Sequence, residues 1–417
     1  MFDFMDMDFN SSDEVTTSGP YIPAVGDCMR CGMCVAGCPT FRLFAIEEET
    51  PRRRIRTISK ILVENLAISA DERLHLDNCL QCRACETVCP SKMAYGQLFD
   101  QAQAQLGIKP KGLAKPALRL IENKRWRKRI MPLLALYLKS GMRKPLAKTG
   151  FLKWLGLADA EAVLKQPALQ AMASRYPTRV ARRGCVALFT GCIAEAFDRD
   201  TLSSAIKLLN AIGYEVLVPP DQGCCGAIQQ HNGQSAAGMI DQNIAVFNTL
   251  DVDAVLHCAS GCGAMLGEYQ SHDIAAAGDF RQRLADINDF LLKHWPDDLQ
   301  LLPLDLKIAV HEPCSQRNVL KNPQTVYALL EKIPGLNVVP LADNQVCCGA
   351  GGSYMLTHPE NAVQLRGLKY RAIKEAEADS VVSSNFGCAV FLATDAAPVA
   401  HPLSLLARQL PIHGFSD

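Results

Sequence analysis

The sequence carries no net charge: 43 Lys and Arg balance 43 Asp and Glu over 417 residues. That removes any global electrostatic case for nucleic acid as a partner. Long apolar runs are missing too. The longest, Met131–Leu138, falls far short of the roughly 18 to 20 residues that a spanning helix needs, so no transmembrane segment is expected. The opening MFDFMDMDFNSSDEV is acidic, without a basic leading region or an apolar stretch of signal-peptide length, and implies a chain kept in a reducing compartment, the cytoplasm. No glycine fingerprint opens a helix after a strand. The GAGG string at 349–352 follows a cysteine pair and lacks the needed spacing, so no flavin or nicotinamide is expected on this chain. Ser-His-Asp and P-loop patterns are also absent.

Cysteine is abundant, at 18 residues, in a chain that is 48% hydrophobic and large enough for two or more cores. Eight cysteines fall between 28 and 89, none from 90 to 184, and ten from 185 to 388. In a reducing compartment, clustered thiols at short regular spacings read as metal ligands rather than disulfide partners. The expected division is an acidic flexible N-terminus (1–20), a two-cluster domain (21–106), a basic helical connector (107–183) and two cysteine-rich repeats (184–300 and 301–417). The expected class is α+β.

Cys28, Cys31, Cys34 and Cys38 stand in a C-x2-C-x2-C-x3-C-P run, and Cys79, Cys82, Cys85 and Cys89 repeat it. This is the spacing of bacterial two-cluster ferredoxins, in which three cysteines of one loop and the fourth of the other share a cube. By that rule Cys28, Cys31, Cys34 and Cys89 hold one 4Fe–4S cluster, and Cys38, Cys79, Cys82 and Cys85 the second. A backbone turning between thiols two residues apart can aim them at adjacent corners of one cube, and Gly32 and Gly37 are expected to supply turns. Zinc is the alternative for C-x2-C pairs; tandem runs ending in Cys-Pro argue against it. Helices are expected over Ile55–Leu66 and Tyr95–Leu106 from apolar spacing.

Residues 107–183 carry 19 Lys or Arg against 3 Asp or Glu, interleaved with Trp126, Ile130, Leu133, Leu134, Tyr137 and Leu138. Two readings stay open: helices docked on the protein with charge turned to water, or contact with an anionic membrane surface or an acidic partner.

From 184 onward strands alternate with helices: strands over Cys185–Phe189, Tyr214–Val218 and Ala254–His257, and a helix over Leu202–Ala211. The pattern then repeats. VALFTGC ending at Cys192 matches KIAVHEPC ending at Cys314, and GCCGA at 223–227 matches VCCGA at 346–350. SGCGA at 260–264 matches FGCAV at 386–390. Thirty-one residues separate Cys192 from Cys224, and thirty-two separate Cys314 from Cys347. Neighbouring cysteines cannot easily close a strained ring with each other, so each pair is expected to face a common metal. That gives Cys192, Cys224, Cys225 and Cys262 in one repeat, and Cys314, Cys347, Cys348 and Cys388 in the other, as ligands of one or two additional iron–sulfur clusters. Cys185 and Cys258 read as buried inert thiols, and His257 and His311 as hydrogen-bonded histidines at strand ends that could instead tune a cluster or bind a quinone.

With CPTF at 38–41, ASGCGA at 259–264 and CCGAGGSYMLTHPE at 347–360, the chain resembles the CCG-domain family. Within it, the order of ferredoxin pair, basic connector and two repeats is similar to the iron–sulfur subunits of bacterial glycolate oxidases. The resemblance implies electron transfer from partner flavoprotein subunits, which oxidise glycolate to glyoxylate, towards membrane quinone or another acceptor, with this chain peripheral on the cytoplasmic face. Iron–sulfur subunits of D-lactate or glycerol-3-phosphate dehydrogenases, and a heterodisulfide reductase-like catalytic subunit, are the alternatives. Heterodisulfide reductases of this group resemble a pattern ending C-x2-C in each repeat, giving five ligands for a noncubane cluster. Ala259 and Asn385 stand there in this chain, which makes direct disulfide chemistry a less natural expectation.

Overall fold

The structure, a computed structural model, describes residues 27–107, 124–149, 166–394 and 397–411. The acidic N-terminus expected over 1–20 and parts of the connector lie outside the described residues.

The N-terminal unit is a small helical body. Thr50 caps the helix Pro51–Leu62, its hydroxyl accepting from the Arg53 amide, and Pro51 fills the first turn where no amide partner exists. Ile55, Ile58 and Ile61 form one buried stripe against Leu76, Leu98, Phe99 and Ala102. The helix thus starts and stops four residues before the expected Ile55–Leu66, because the Thr-Pro cap sets its origin. Tyr95–Leu106 is helical as expected. A capping box between Ser69 and Glu72 opens the third helix, Ala70–Asp77.

Beyond it stand two parallel sheets. In the first, β2 (Gly184–Phe189), β3 (Tyr214–Leu217), β4 (Ala254–His257) and β5 (Leu284–Asp286) lie in the order β3-β2-β4-β5, with β1 (Arg175–Tyr176) antiparallel on the outer edge of β3. In the second, β6 (Lys307–His311), β7 (Asn337–Pro340), β8 (Ser380–Ser383) and β9 (Val399–Ala400) take the same order, β7-β6-β8-β9. β1 falls within 107–183, so the end of the expected helical connector is a sheet edge.

The duplication is also a packing relation. The helix Arg199–Ala211, after the first strand of one repeat, packs on Pro402–Arg408, after the last strand of the other; Ile287–His294 and Gln324–Leu330 make the reciprocal contact. Reciprocity of this kind is what a two-fold relation requires. Val186, Leu188, Leu208, Leu256, Ile308, Leu329 and Leu406 merge there into one core spanning both repeats. Each fully buried leucine in it contributes roughly 1.5–3 kcal/mol.

Candidate metal centres

Short spacing between thiols forces the backbone to turn, and the two ferredoxin-type loops turn alike. Arg30 and Gln81, each two residues after the first cysteine, have φ of 54° and 50°; Gly32 and Arg83, each just after the second, have φ of 82° and 58°. Left-handed residues at corresponding places point successive amide N–H groups into the loop, a concavity suited to anionic sulfur. Gly32 is needed in that conformation. Gly37 is not: its φ is not positive and open space surrounds it, so the expectation of a second glycine turn is corrected.

Cys28, Cys31, Cys34 and Cys89 line one cavity together with Cys85 of the other expected set, with Pro51, Ile55 and Met93 around them. Burial pushes the Cys34 thiol up to about 11, and Cys28 and Cys31 push it further in the same direction. Cys38 faces the other loop. Burial raises Cys79, Cys82 and Cys85, and Cys38 raises all three as well. The Gln81 amide and the Tyr95 hydroxyl both donate to Cys79 Sγ at 3.4 Å. Two groups of crowded thiols, in which Cys34 of one and Cys79, Cys82 and Cys85 of the other are pushed above the ordinary thiol range, suit a polycationic metal core that ionises them together, and the all-sulfur donor set is that of 4Fe–4S clusters.

Behind Cys38 lies a buried ion pair that the sequence did not reveal. Arg54 is paired with Glu49, and both side chains are almost wholly buried. Arg54 donates to the Glu49 carbonyl at 2.7 Å, to Thr40 Oγ1 at 2.9 Å and to Cys38 Sγ at 3.7 Å. Glu49 also holds His75 Nδ1 and Asn78 Nδ2, each at 2.7 Å. Burial works against the guanidinium charge, but Cys79, Tyr95, Cys38 and Glu49 outweigh it and strengthen its hold on the proton.

In the repeats, the cysteines follow the carboxyl ends of the first three strands, the place where open parallel sheets collect ligands. Cys192 and Cys224 sulfurs are 3.2 Å apart, and Cys314 and Cys347 sulfurs 3.9 Å. Hydrogen bonds from Cys192 and Cys225 hold Cys224 well below the ordinary thiol range. Cys314 and Cys348 do the same for Cys347. Cys262 hydrogen-bonds Cys225, and Cys388 hydrogen-bonds Cys348. Each repeat therefore brings its four expected thiols together. The glycine after each pair is required: Gly226 and Gly349 have φ of 86° and 93°, and an added Cβ would press on the Ala236 side chain or the Ala362 carbonyl.

Each site has two further supports. An amide side chain ties the cysteine pair's loop to the end of the first strand. Gln222 accepts from the Thr190 amide at 2.7 Å and donates to the Leu188 carbonyl at 3.1 Å; Asn344 accepts from Glu312 at 3.1 Å and donates to Val310 at 3.0 Å. A buried cation faces the thiols. In the second repeat it is Lys369, donating to the Asp343 carbonyl at 2.5 Å and lowering Cys347. In the first it is Arg127, lowering both Cys192 and Cys224.

Arg127 comes from the connector helix Lys124–Lys139. It is buried and 3.6 Å from Glu195, while Lys124 reaches Glu195 at 3.1 Å and the Pro220 carbonyl at 2.9 Å. Both expected readings of the connector turn its charge outward, and Arg127 corrects them in part: it is an internal counter-charge. On the opposite face Trp126, Leu133 and Leu136 are exposed, and the Arg129 guanidinium lies 5.6 Å from the Trp126 ring centroid.

No fifth cysteine completes either repeat among the described residues. Asn385 caps the helix Phe386–Leu392, accepting from Gly387 at 3.0 Å, and donates to Ser260 Oγ at 3.2 Å. Cys258 is buried in the shared core. Cys185 is half-buried, against the expectation of a fully buried thiol, because it sits at the outer end of β2. His257 is 3.7 Å from Asp286. Burial pushes that histidine down to about 4 and the carboxyl up to about 7, so between those pH values both groups are neutral despite the ion-pair geometry. His311 is buried, pushed down to about 3 by burial and by Lys369, and its Nδ1 is 3.0 Å from Ser383 Oγ.

The ferredoxin-type unit docks against both repeats. Asp100 meets Gln230 and His231 at 2.9 and 3.1 Å, Arg83 pairs with Glu268, and Asn318 donates to the Cys82 carbonyl at 2.7 Å. Cys82 packs into the apolar cluster that holds Cys347, Cys348 and Cys388. After burial, Cys347 is the largest influence raising it.

Residues 24–93 match the 4Fe-4S dicluster domain family, and 186–267 and 308–393 match the Cysteine-rich domain family. The chain is 33% identical over 390 residues to a "Probable glycolate oxidase iron-sulfur subunit" of Bacillus subtilis, covering 87% of both chains. It is 31% identical to the "Glycolate oxidase iron-sulfur subunit" of Escherichia coli, over 88% of this chain and 89% of that one. A "Lactate utilization protein A" of Geobacillus thermodenitrificans is 26% identical over 53% of this chain and 95% of its own length.

Proposed function

The chain belongs to the family of glycolate oxidase iron–sulfur subunits, and from that premise we propose that it conducts electrons from a partner flavoprotein that oxidises glycolate to glyoxylate. An iron–sulfur electron-transfer role in an oxidoreductase is what its relatives share; the substrate, the flavoprotein and the acceptor are our own reading. The observation that carries it is the juxtaposition of Cys82 and Cys347, which sets the second ferredoxin-type site directly against the second repeat. Cys28, Cys31, Cys34 and Cys89 hold the outer cluster, and Cys38, Cys79, Cys82 and Cys85 the inner one. Cys192, Cys224, Cys225 and Cys262, and Cys314, Cys347, Cys348 and Cys388, hold further centres. Bound clusters supply one-electron steps; the protein supplies thiolates, a dry path and the buried cations Arg54, Lys369 and Arg127 that offset their negative charge.

No helix among the described residues is long and apolar enough to cross a membrane. Trp126, Arg129, Leu133 and Leu136, at spacings of three and four, share one helix face, and we read it as the contact with an anionic membrane surface, where quinone would accept the electrons. The test is co-purification with its partners under anaerobic conditions. Glycolate-dependent dye reduction, with glycolate-reducible EPR signals from this chain, is the expected outcome; disulfide turnover by the isolated chain would overturn the reading.

A further inference from the structure

The two repeats share strand order, thiol placement, amide tie and glycine turn, and one of the buried positions at which they differ lies beside the thiols. The last residue of the first strand is Phe189 in one repeat and His311 in the other. Their equivalence is fixed by register: Phe189 pairs with His257 across β2 and β4 as His311 pairs with Ser383 across β6 and β8. Phe189 packs in an apolar cluster, its ring 6.0 Å from that of Phe247, and has no donor atom. A ring nitrogen of His311 and the sulfurs of Cys348 and Cys388 all lie within 4.8 Å of one another, and all three residues are buried.

We propose that His311 is a fifth ligand of the metal centre in the second repeat, which makes that centre a mixed imidazole and thiolate site while the first remains all sulfur. Ser383 Oγ engages Nδ1 at 3.0 Å and leaves Nε2 as the ligating nitrogen, the arrangement by which metal-bound histidines are held in one tautomer and orientation. Ligand bonds of about 2.0–2.3 Å place donors of one ion about 3.5 Å apart, so the set needs to tighten by roughly an ångström on loading. Imidazole is neutral, so a thiolate in its place, as in His311→Cys, adds a negative charge to the site and lowers its potential, the reverse of the rise seen when histidines replace cysteines at an iron–sulfur centre.

The inference rests on the reading that the repeats carry iron. It is tested on full-length protein reconstituted anaerobically, prepared with and without 15N-labelled histidine, and examined by pulsed EPR. The wild type is expected to show a directly coordinated histidine nitrogen whose coupling changes with the isotope. His311→Phe should lose that coupling while keeping both ferredoxin-type signals. His311→Cys should keep the iron, lack the nitrogen and titrate at lower potential. A second-repeat signal without histidine nitrogen in the wild type, the same coupling in His311→Phe, or no iron beyond the ferredoxin-type domain would each overturn the proposal. Loss of the ferredoxin-type signals from the wild type would instead overturn the electron-transfer reading itself.

Discussion

Arg54 offers the sharpest quantitative handle on the inner ferredoxin-type site. Its Nη1 lies 3.7 Å from Cys38 Sγ, which puts the guanidinium on the order of 6 Å from the charge of a cluster ligated there. At an effective dielectric of about 20, one elementary charge at that distance is worth about 3 kcal/mol. With about 59 mV per tenfold change for a one-electron couple, Arg54→Met should lower the potential of the inner cluster by on the order of 100 mV. The same change strands the Glu49 carboxylate with only His75 and Asn78, and breaking a buried pair costs about 3–5 kcal/mol. Glu49→Gln combined with Arg54→Met removes both charges, and should recover part of the stability and most of the potential. EPR-monitored redox titration and thermal unfolding under nitrogen measure the two effects. An inner cluster that titrates at the wild-type potential in folded, iron-loaded Arg54→Met, or a double variant shifted as far as the single one, would refute the electrostatic reasoning.

At Asp286, the folded carboxyl titrates near 7 against an ordinary value of 3.8, chiefly through burial. A raised acid pKa adds stability that is complete below the unfolded value and lost as pH rises towards 7. Asp286→Asn, which can still cap its helix, should therefore gain stability over the wild type progressively from pH 4 to 7 in melts, and a pH-independent difference would contradict this. Gly226→Ala and Gly349→Ala must each force a left-handed backbone and a close contact, and should cost about 1–3 kcal/mol with loss of iron from that repeat alone, read by iron analysis. Glu195→Gln removes the partner of Lys124 and Arg127; protease sensitivity of the connector helix should rise, and an unchanged digestion pattern would count against docking. Replacing Trp126, Leu133 and Leu136 together by serine should abolish sedimentation with anionic vesicles without altering iron content; undiminished binding would remove that face from the membrane proposal.

Cysteine spacing makes the groups of thiols legible in the amino-acid sequence, because ligation is a property of residue type and sequence separation. The strands and the duplication are equally visible there: Ala254–His257 and Tyr95–Leu106 are where their patterns put them. The helix expected at Ile55 is misplaced because its start is set by a two-residue cap rather than by apolar period. What stays hidden are groups whose roles exist only in three dimensions. Lys369 and Arg127 look like any solvated cation on a helix until the fold turns them inward. Arg54 and Glu49 become an interior pair only once Thr40, His75 and Asn78 close around them. Gln222 and Asn344 do leave a faint trace, a polar amide two or three residues before each cysteine pair, whose meaning depends on the nearby strand end. His311 already stands opposite Phe189 in the aligned repeats, but that a nitrogen of its ring lies beside Cys348 and Cys388 is visible only in three dimensions.

The eight cysteines between 28 and 89 are the centre of the account, in which we propose that they hold two 4Fe–4S clusters that feed the repeats. Iron and sulfide analysis with EPR on the anaerobically isolated full-length chain tests this most directly. About eight irons from the N-terminal domain, with two magnetically interacting reduced clusters and further iron in the repeats, is the predicted result. A colourless chain that stays free of iron after reconstitution, or one that binds only zinc, would contradict it.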